Sequence, residues 1–439
     1  MSTADDYRTA LDHTRRLADR YLASLPDRPA TPAQVPVAGP LPEGIGLQAA
    51  FEHLAAQVEP FLSASPGPRY LGYVTGGATP EALAADWLAS AWDQNVSNHA
   101  GSIAASVEAM TVIAFAGAFG LGGNLHGHFV SGATAANLVC LATARQWAQQ
   151  EGGALPKVFA GAAHSSILKA MAITGIGRER HVPVATLPGR TAVDPAALRA
   201  ALAAETGPKI VVASAGEVNI GDFDDLQALA DICREAGAWL HVDGAFGLFA
   251  ALEPSLRHRV VGVERADSVT VDLHKWLNVP YDSAIAYTTR PDLQRQVFAA
   301  SSAYLGDDPD PLHYTPENSR RFRALAAWMV LAVRGRDGIA QWVAANCRQA
   351  RTLAAGLQVR GYDVLNPEVA LNIVAFAPPA GDAAARDALL QAINASGVTF
   401  MTPTVLHGRP AIRAAFSNWS TTDADVDRIL AMIESLPRR

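Results

Sequence analysis

The chain has 439 residues, 49% of them hydrophobic and 18% charged, with a formal net charge of -7. That length suits one large domain with one or two smaller lobes, and the apolar fraction is ample for a packed core. The charges are interspersed rather than blocked, which leaves neither a nucleic-acid footprint nor a polybasic membrane patch and points to small-molecule partners.

No stretch approaches the ~20 uninterrupted apolar residues of a membrane-spanning helix. The opening MSTADDYRTA is acidic and has no apolar signal core. Cys140, Cys233 and Cys347 are odd in number, far apart and set among helix-forming residues, so they read as reduced, buried thiols rather than a disulfide frame. A cytoplasmic protein without a metal site is expected.

Residues 4–24 carry a helical pattern through Tyr7, Leu11, Leu17 and Tyr21, followed by the Pro-rich connector LPDRPATPAQVPVAGPLPEG. A helix and arm detached from the core need another surface, and a dimer partner is the simplest one. Further helical segments run from 47 to 120, interrupted by the Gly- and Thr-rich turn GYVTGGATP. Between about 125 and 290, β-rich runs alternate with helical ones: KVFAG then SSILKAMAIT, KIVVASAG then DFDDLQALADICREAG, and finally AWLHVD, DSVTVD and SAIAYTT. This alternation predicts a mostly parallel α/β sheet covered on both faces. From 331 to 439, helices mix with strands near LNIVAFAP and PAIRAAFSN, as in a smaller α+β lobe. The expected division is an N-terminal helical segment and arm at 1–100, a large domain at 101–330 and a small domain at 331–439.

Two strand ends carry the chemistry. AWLHVD ends in Asp243, and thirty-two residues later DSVTVDLHKWL delivers Asp272, His274 and Lys275. Ligands of open α/β sheets sit beyond the carboxyl ends of the strands. An amine and a carboxylate there are what pyridoxal phosphate requires: one forms an imine with its aldehyde, the other keeps its pyridine nitrogen protonated.

A phosphate site is suggested by Ser131, Gly132, Ala133 and Thr134 leading into a long helix, where free N–H groups and the helix dipole favour an anion. A plain capped helix is the alternative. The dinucleotide and triphosphate glycine fingerprints are absent. His164 follows an apolar strand, where its imidazole could face a planar ring or serve only in packing. Strand alternation sends His241 to the side of Asp243. His274 and Asp272 could orient the phosphate or the lysine, or pack behind them. Arg320, Arg321 and Arg323 could bind a carboxylate bidentately or make salt bridges at a helix start.

The ordered blocks GYVTGGATP, WDQNV, SGATAANL, AHSSILKA, AGEVNIGDFD, HVDGAFG, DLHKWLNVPYDS, SRRFRAL and SNWSTTDADVD resemble the pyridoxal-phosphate-dependent group II amino-acid decarboxylases. That family includes the aromatic-L-amino-acid, tyrosine and glutamate decarboxylases. The resemblance runs from about residue 40 to the C-terminus. It implies an aspartate-aminotransferase-like (fold type I) enzyme with a seven-stranded sheet, working as a homodimer with active sites at the subunit interface.

Lys275 would hold the cofactor covalently, Asp243 would pair with the pyridinium and His164 would stack on the ring. Ala133, Thr134, Asp272 and His274 would surround the phosphate. Tyr73, Val74 and Thr75 would line the substrate pocket, with His99 and Arg321 also placed on the substrate side. A tyrosine on the loop SSAYLGDDPDPLHYTPENS would protonate Cα after carbon dioxide leaves, with Tyr314 the candidate and Tyr304 the reserve; either could instead be an aromatic plug against the partner.

Two departures bear on the substrate. Gly216, Glu217, Val218 and Asn219 stand where many members carry Gly-Thr-Thr, bringing Glu217 to the cofactor if it points inward and to the surface if it does not. Asn98 and His99 make a second pocket element more polar. The expected reaction is decarboxylation of an L-amino acid to its amine, with a decarboxylation-dependent aldehyde synthase or oxidative deaminase as the alternative on the same scaffold.

Overall fold

Short runs of Val, Ile and Ala become strands buried on both faces, as a helix-covered parallel sheet requires. The computed structural model describes residues 3–40, 42–300, 308–379 and 381–436. Seven strands, β1 (His126–Val130), β2 (Lys157–Ala160), β3 (His181–Pro183), β4 (Lys209–Ser214), β5 (Trp239–Asp243), β6 (Ser268–Asp272) and β7 (Ala284–Thr288), form one sheet in the order β1-β7-β6-β5-β4-β2-β3. β7 runs against both neighbours, while β2 to β6 are mutually parallel. The mostly parallel seven-stranded sheet is the expected one.

Alternation splits each strand between two cores. Val211, Leu240 and Val269 pack with Phe115, Phe119, Phe249 and Trp276 on one face. Ile210, Val212 and Trp239 pack with Leu141, Ile167 and Met171 on the other. Crossover helices start and stop as their sequence directs. Asp225 caps Leu226–Ala236 by accepting from Ala228 N, and Gly237 ends it in the left-handed region at φ 58.

A second sheet, β8 (Asp363–Val364), β9 (Ile373–Ala377), β10 (Thr402–Leu406) and β11 (Arg409–Ala415), is antiparallel in the order β10-β11-β9-β8. Its core joins Phe376, Ile412 and Phe416 to Leu353, Leu357, Ile429 and Ile433. The helix Ala324–Val359 crosses residue 330 and belongs to both cores, with a break at Gly335 (φ 61, ψ -175).

The expected N-terminal helix spans Thr3–Ser24 and has no buried residue; Tyr7 is 69% and Leu11 56% exposed. Beyond it, residues 64–79 lace the two lobes together. Leu71 N donates to Phe400 O, Thr79 N to Asn278 O, and the nearly buried Arg69 pairs with Asp425 at 3.1 Å.

Arg320 is one of these internal ties rather than a ligand for substrate. Its guanidinium is fully buried and donates to Glu108 Oε1 at 2.8 Å and Phe129 O at 2.6 Å. Glu108→Gln should therefore leave an uncompensated buried cation and cost about 3–5 kcal/mol in equilibrium denaturation. A loss below about 1 kcal/mol would contradict this account of the pair.

Candidate active site

The parallel register sets Asp243 of β5 beside Thr270 of β6, so the two strands present their carboxyl ends together. β6 then turns directly into the short helix Leu273–Trp276. Leu273 and Trp276 are fully buried, and Trp276 Nε1 donates to Asn346 Oδ1 at 2.9 Å. With those two side chains in the core, His274 and Lys275 line a cavity of about 820 Å³, which Asp243, Asp272 and His164 also line.

Lys275 Nζ lies 3.1 Å from Asp272 Oδ2, while Asp272 Oδ1 accepts from Ala133 N at 3.1 Å and sits 3.4 Å from His274 Nδ1. Asp243 Oδ2 accepts from Asn137 Nδ2 at 3.1 Å and Oδ1 from Ala245 N at 3.2 Å. Beneath it, His241 is fully buried, and burial pushes its pKa down to about 4, so it is neutral.

The expected phosphate site is open. Gly132 provides no side-chain cap for Ala133–Gly152, and Thr134 and Ala135 N–H find no acceptor among the described residues. A Cβ on Gly132 would sit 3.3 Å from His274 Cε1, so the glycine leaves room between the helix start and that ring. Free N–H donors, the positive end of a long helix and an adjacent imidazole suit a dianionic phosphate. With Lys275 and Asp243 on the same cavity, these residues fit pyridoxal phosphate.

Tyr73, Val74 and Thr75 also line the cavity, with Tyr73 in the left-handed region at φ 56. Glu217 is 4% exposed and turns back into its own loop rather than out to solvent. Its carboxylate accepts from Ile220 N at 3.2 Å, Thr191 Oγ1 at 3.3 Å and Asn219 Nδ2, and burial raises its pKa.

Arg413 of β11 was missed in the sequence, although an arginine inside the apolar strand PAIRAAFSN is itself a signal. It is 4% exposed and donates to Val218 O and to Tyr73 O at 2.6 Å. Its Nη2 has no partner among the described residues. Burial lowers its pKa to about 10, still cationic at neutral pH.

Other expected residues lie elsewhere. Arg321, expected on the substrate side, is outside this chain's cavity lining because its guanidinium is taken by Asp86 Oδ1 at 2.6 Å and Ser90 Oγ at 2.7 Å. Arg323 is held by Asp282 at 2.7 Å and Glu317. His99 is exposed and also outside that lining, its N–H donating to Asp310 Oδ1 at 2.8 Å. Tyr314, expected on a mobile loop, is 9% exposed and stacked on His128 with ring centroids 4.5 Å apart. The two neighbourhoods touch, since Leu312 N donates to Ser97 O at 3.1 Å. Tyr304 lies outside the described residues.

Comparison with known proteins agrees with this geometry. Residues 41–378 match the model of the pyridoxal-dependent decarboxylase conserved domain. An aromatic-L-amino-acid decarboxylase of Bacillus atrophaeus is 28% identical over 390 residues, covering 84% of this chain and 81% of that protein. An L-2,4-diaminobutyrate decarboxylase of Rhizobium meliloti (strain 1021) is 29% identical over 420 residues, covering 91% and 84%. In fold, the chain superposes on Oryza sativa TDC solved with PLP and tryptamine at a TM-score of 0.90, with 24% identity and coverage of 98% and 97%. The architecture is that of the fold type I PLP enzymes.

Gly76 lies against the lysine-bearing turn, and a Cβ there would fall 1.9 Å from Lys275 O. Gly76→Ala should displace that turn at an overpacking cost of about 1–3 kcal/mol. Pyridoxal phosphate binding would then weaken about tenfold or more. Titration of the apoenzyme, followed by visible absorbance, reads the effect; unchanged affinity rules the contact out as a constraint.

Glu217 yields a prediction on pH. Its folded-state pKa is raised, so its contribution to stability is present below the unfolded carboxyl pKa and is lost as pH rises. Glu217→Gln should therefore melt higher than the wild type by on the order of 1–2 °C at about pH 8, with the gap closing toward about pH 4. A variant less stable at every pH would reverse the sign of this argument.

Proposed function

The chain belongs to the pyridoxal-dependent decarboxylase family and is a PLP-dependent carboxy-lyase; from that premise we propose that it converts an L-amino acid to the corresponding amine and carbon dioxide. One observation carries the reading: an amine, a carboxylate and an open helix N-terminus all face a single cavity. When bound, the cofactor supplies an electron sink for the pair left behind by carbon dioxide.

In this reading Asp272 holds Lys275 Nζ in position, and Asn137 and Ala245 orient the carboxylate of Asp243 toward a protonated ring nitrogen. The first-turn N–H groups of Ala133–Gly152, with Thr134 and His274 beside them, hold the phosphate. His164 covers one ring face, while Tyr73, Val74 and Thr75 close the substrate side. Arg413, on the cavity lining, brings a buried positive charge toward a substrate carboxylate. Val74, Phe246 and Pro403 line the cavity and reduce the water around the reacting carboxylate.

The proposal extends to a cytoplasmic homodimer. Three buried free thiols suit a reducing compartment. The uncovered N-terminal helix offers Tyr7 and Leu11 to a second copy. In such a dimer, the joined segments bearing His99 and Tyr314 would serve the neighbouring cavity, with Tyr314 delivering the proton to Cα.

Incubating the PLP-loaded enzyme with each of the twenty amino acids, with carbon dioxide, amine, aldehyde, ammonia and peroxide all quantified, tests the proposal. Equal amine and carbon dioxide from one substrate are expected, and Lys275→Ala should yield neither while keeping its fold. Aldehyde with ammonia and peroxide as the main products would overturn it.

A further inference from the structure

We propose that Asn137 and Ser166 bridge Asp243 to His164 and lock the His164 imidazole with its proton on Nε2, the edge turned toward the cavity. The proposal rests on the cavity being the cofactor site, and it makes Asn137 and Ser166 positioning residues.

The assignment follows from groups that can play only one role. A backbone N–H only donates, a carboxylate only accepts, and an indole N–H only donates. Ser166 N lies 3.2 Å from His164 Nδ1, so that nitrogen must present its lone pair. His164 is also the N-cap of the helix Ser165–Ile173 through this same bond. A proton on Nδ1 would face the Ser166 N–H and forfeit the cap.

The other leg agrees. Asn137 Nδ2 is 3.1 Å from Asp243 Oδ2, which fixes the orientation of the amide. The same nitrogen donates to Ser166 Oγ at 3.0 Å, leaving the Ser166 hydroxyl hydrogen for His164 Nδ1 at 2.7 Å. Asn137 Oδ1 then accepts from His241 Nε2 at 2.9 Å, and His241 Nδ1 accepts from Ser268 Oγ at 2.9 Å. Ser268 Oγ in turn accepts from Trp239 Nε1 at 2.9 Å. Trp239, the Ser166 amide and Asp243 thus fix the ends of one self-consistent network. Asn137, His241 and Ser268 are fully buried and Ser166 is 4% exposed, so no bulk water competes for these bonds.

Only the far edge of His164 is free. Nε2 has no partner among the described residues, and the ring lines the cavity. Desolvation lowers the pKa of this imidazole; Asp243 and Asp272 face it and raise it, while Lys275 and Arg413 lower it. The consequence is chemical. A neutral ring can lie over a protonated pyridine without like-charge repulsion, and it offers one hydrogen bond from Nε2 without gaining a proton at Nδ1.

Nitrogen-15 NMR of the histidine-labelled apoenzyme tests the lock without relying on turnover, with the His164 signals assigned by their disappearance in His164→Asn. A neutral Nε2–H tautomer is expected in the wild type. Ser166→Ala removes one donor to Nδ1 and should raise the His164 titration midpoint by about half to one pH unit, and Ser166→Thr should restore it. In the PLP-loaded enzyme the acid limb of kcat/KM should move in the same direction. An Nδ1–H tautomer in the wild type, or an unmoved midpoint in a folded Ser166→Ala, overturns the proposal. A correct tautomer in an enzyme that releases no amine would defeat the decarboxylase reading instead.

Discussion

The site depends first on the parallel pairing of β5 with β6. Asp243 sits opposite Thr270, and two residues later β6 ends at Asp272 and turns into the helix that carries Lys275. A slip of one residue would invert the side-chain alternation of a whole strand, moving Asp243 out of the cavity and an apolar neighbour into it. Burial on both faces enforces the register, because Val242, Val269 and Val271 are fully buried on one face and His241, Ser268 and Thr270 on the other. The buried Trp276 then prevents the lysine turn from rotating about the strand end.

Such an interior leaves no water for polar groups that point inward. His241, Ser268, Asn137 and Thr270 are all completely buried. Each unmet hydrogen bond there would cost about 1–3 kcal/mol, so the polar residues have to satisfy one another. The helix Ala133–Gly152 serves two purposes at once. Its first turn opens to the cavity, and Asn137, four residues beyond Ala133 on the same helical face, reaches down to Asp243 and His241. A single rigid element therefore sets the distance between the phosphate end and the pyridine end of the site.

Much of this was legible because it depends on local pattern. Apolar runs bounded by turn residues mark β2 and β4 to β7, and the polar residues at their ends are the ones that gather around the cavity. β1 escaped because HGHFV carries a glycine and two histidines, and β3 because it is three residues long. The arginines of SRRFRAL show the limit most clearly. Their guanidinium forks do bind carboxylates, but Glu108 and Asp86 lie more than two hundred residues away in sequence, and only the fold reveals that those carboxylates belong to the protein. The same blindness to distant partners hid the stacking of Tyr314 on His128 and the bond from His99 to Asp310.

Arg413 and Glu217 reverse what the sequence suggested about charge in the pocket. The glutamate was the conspicuous departure, a carboxylate expected at the cofactor if it pointed inward. Yet its oxygens are occupied by Ile220, Thr191 and Asn219, so it acts on the cavity through its field and not as a free acceptor. That field raises the pKa of the buried guanidinium and partly offsets its desolvation. The unsatisfied hydrogen-bonding capacity instead belongs to Arg413, whose Nη2 stays unpartnered among the described residues. Arg413 therefore puts a buried positive charge on the cavity lining, and Glu217 helps keep it charged.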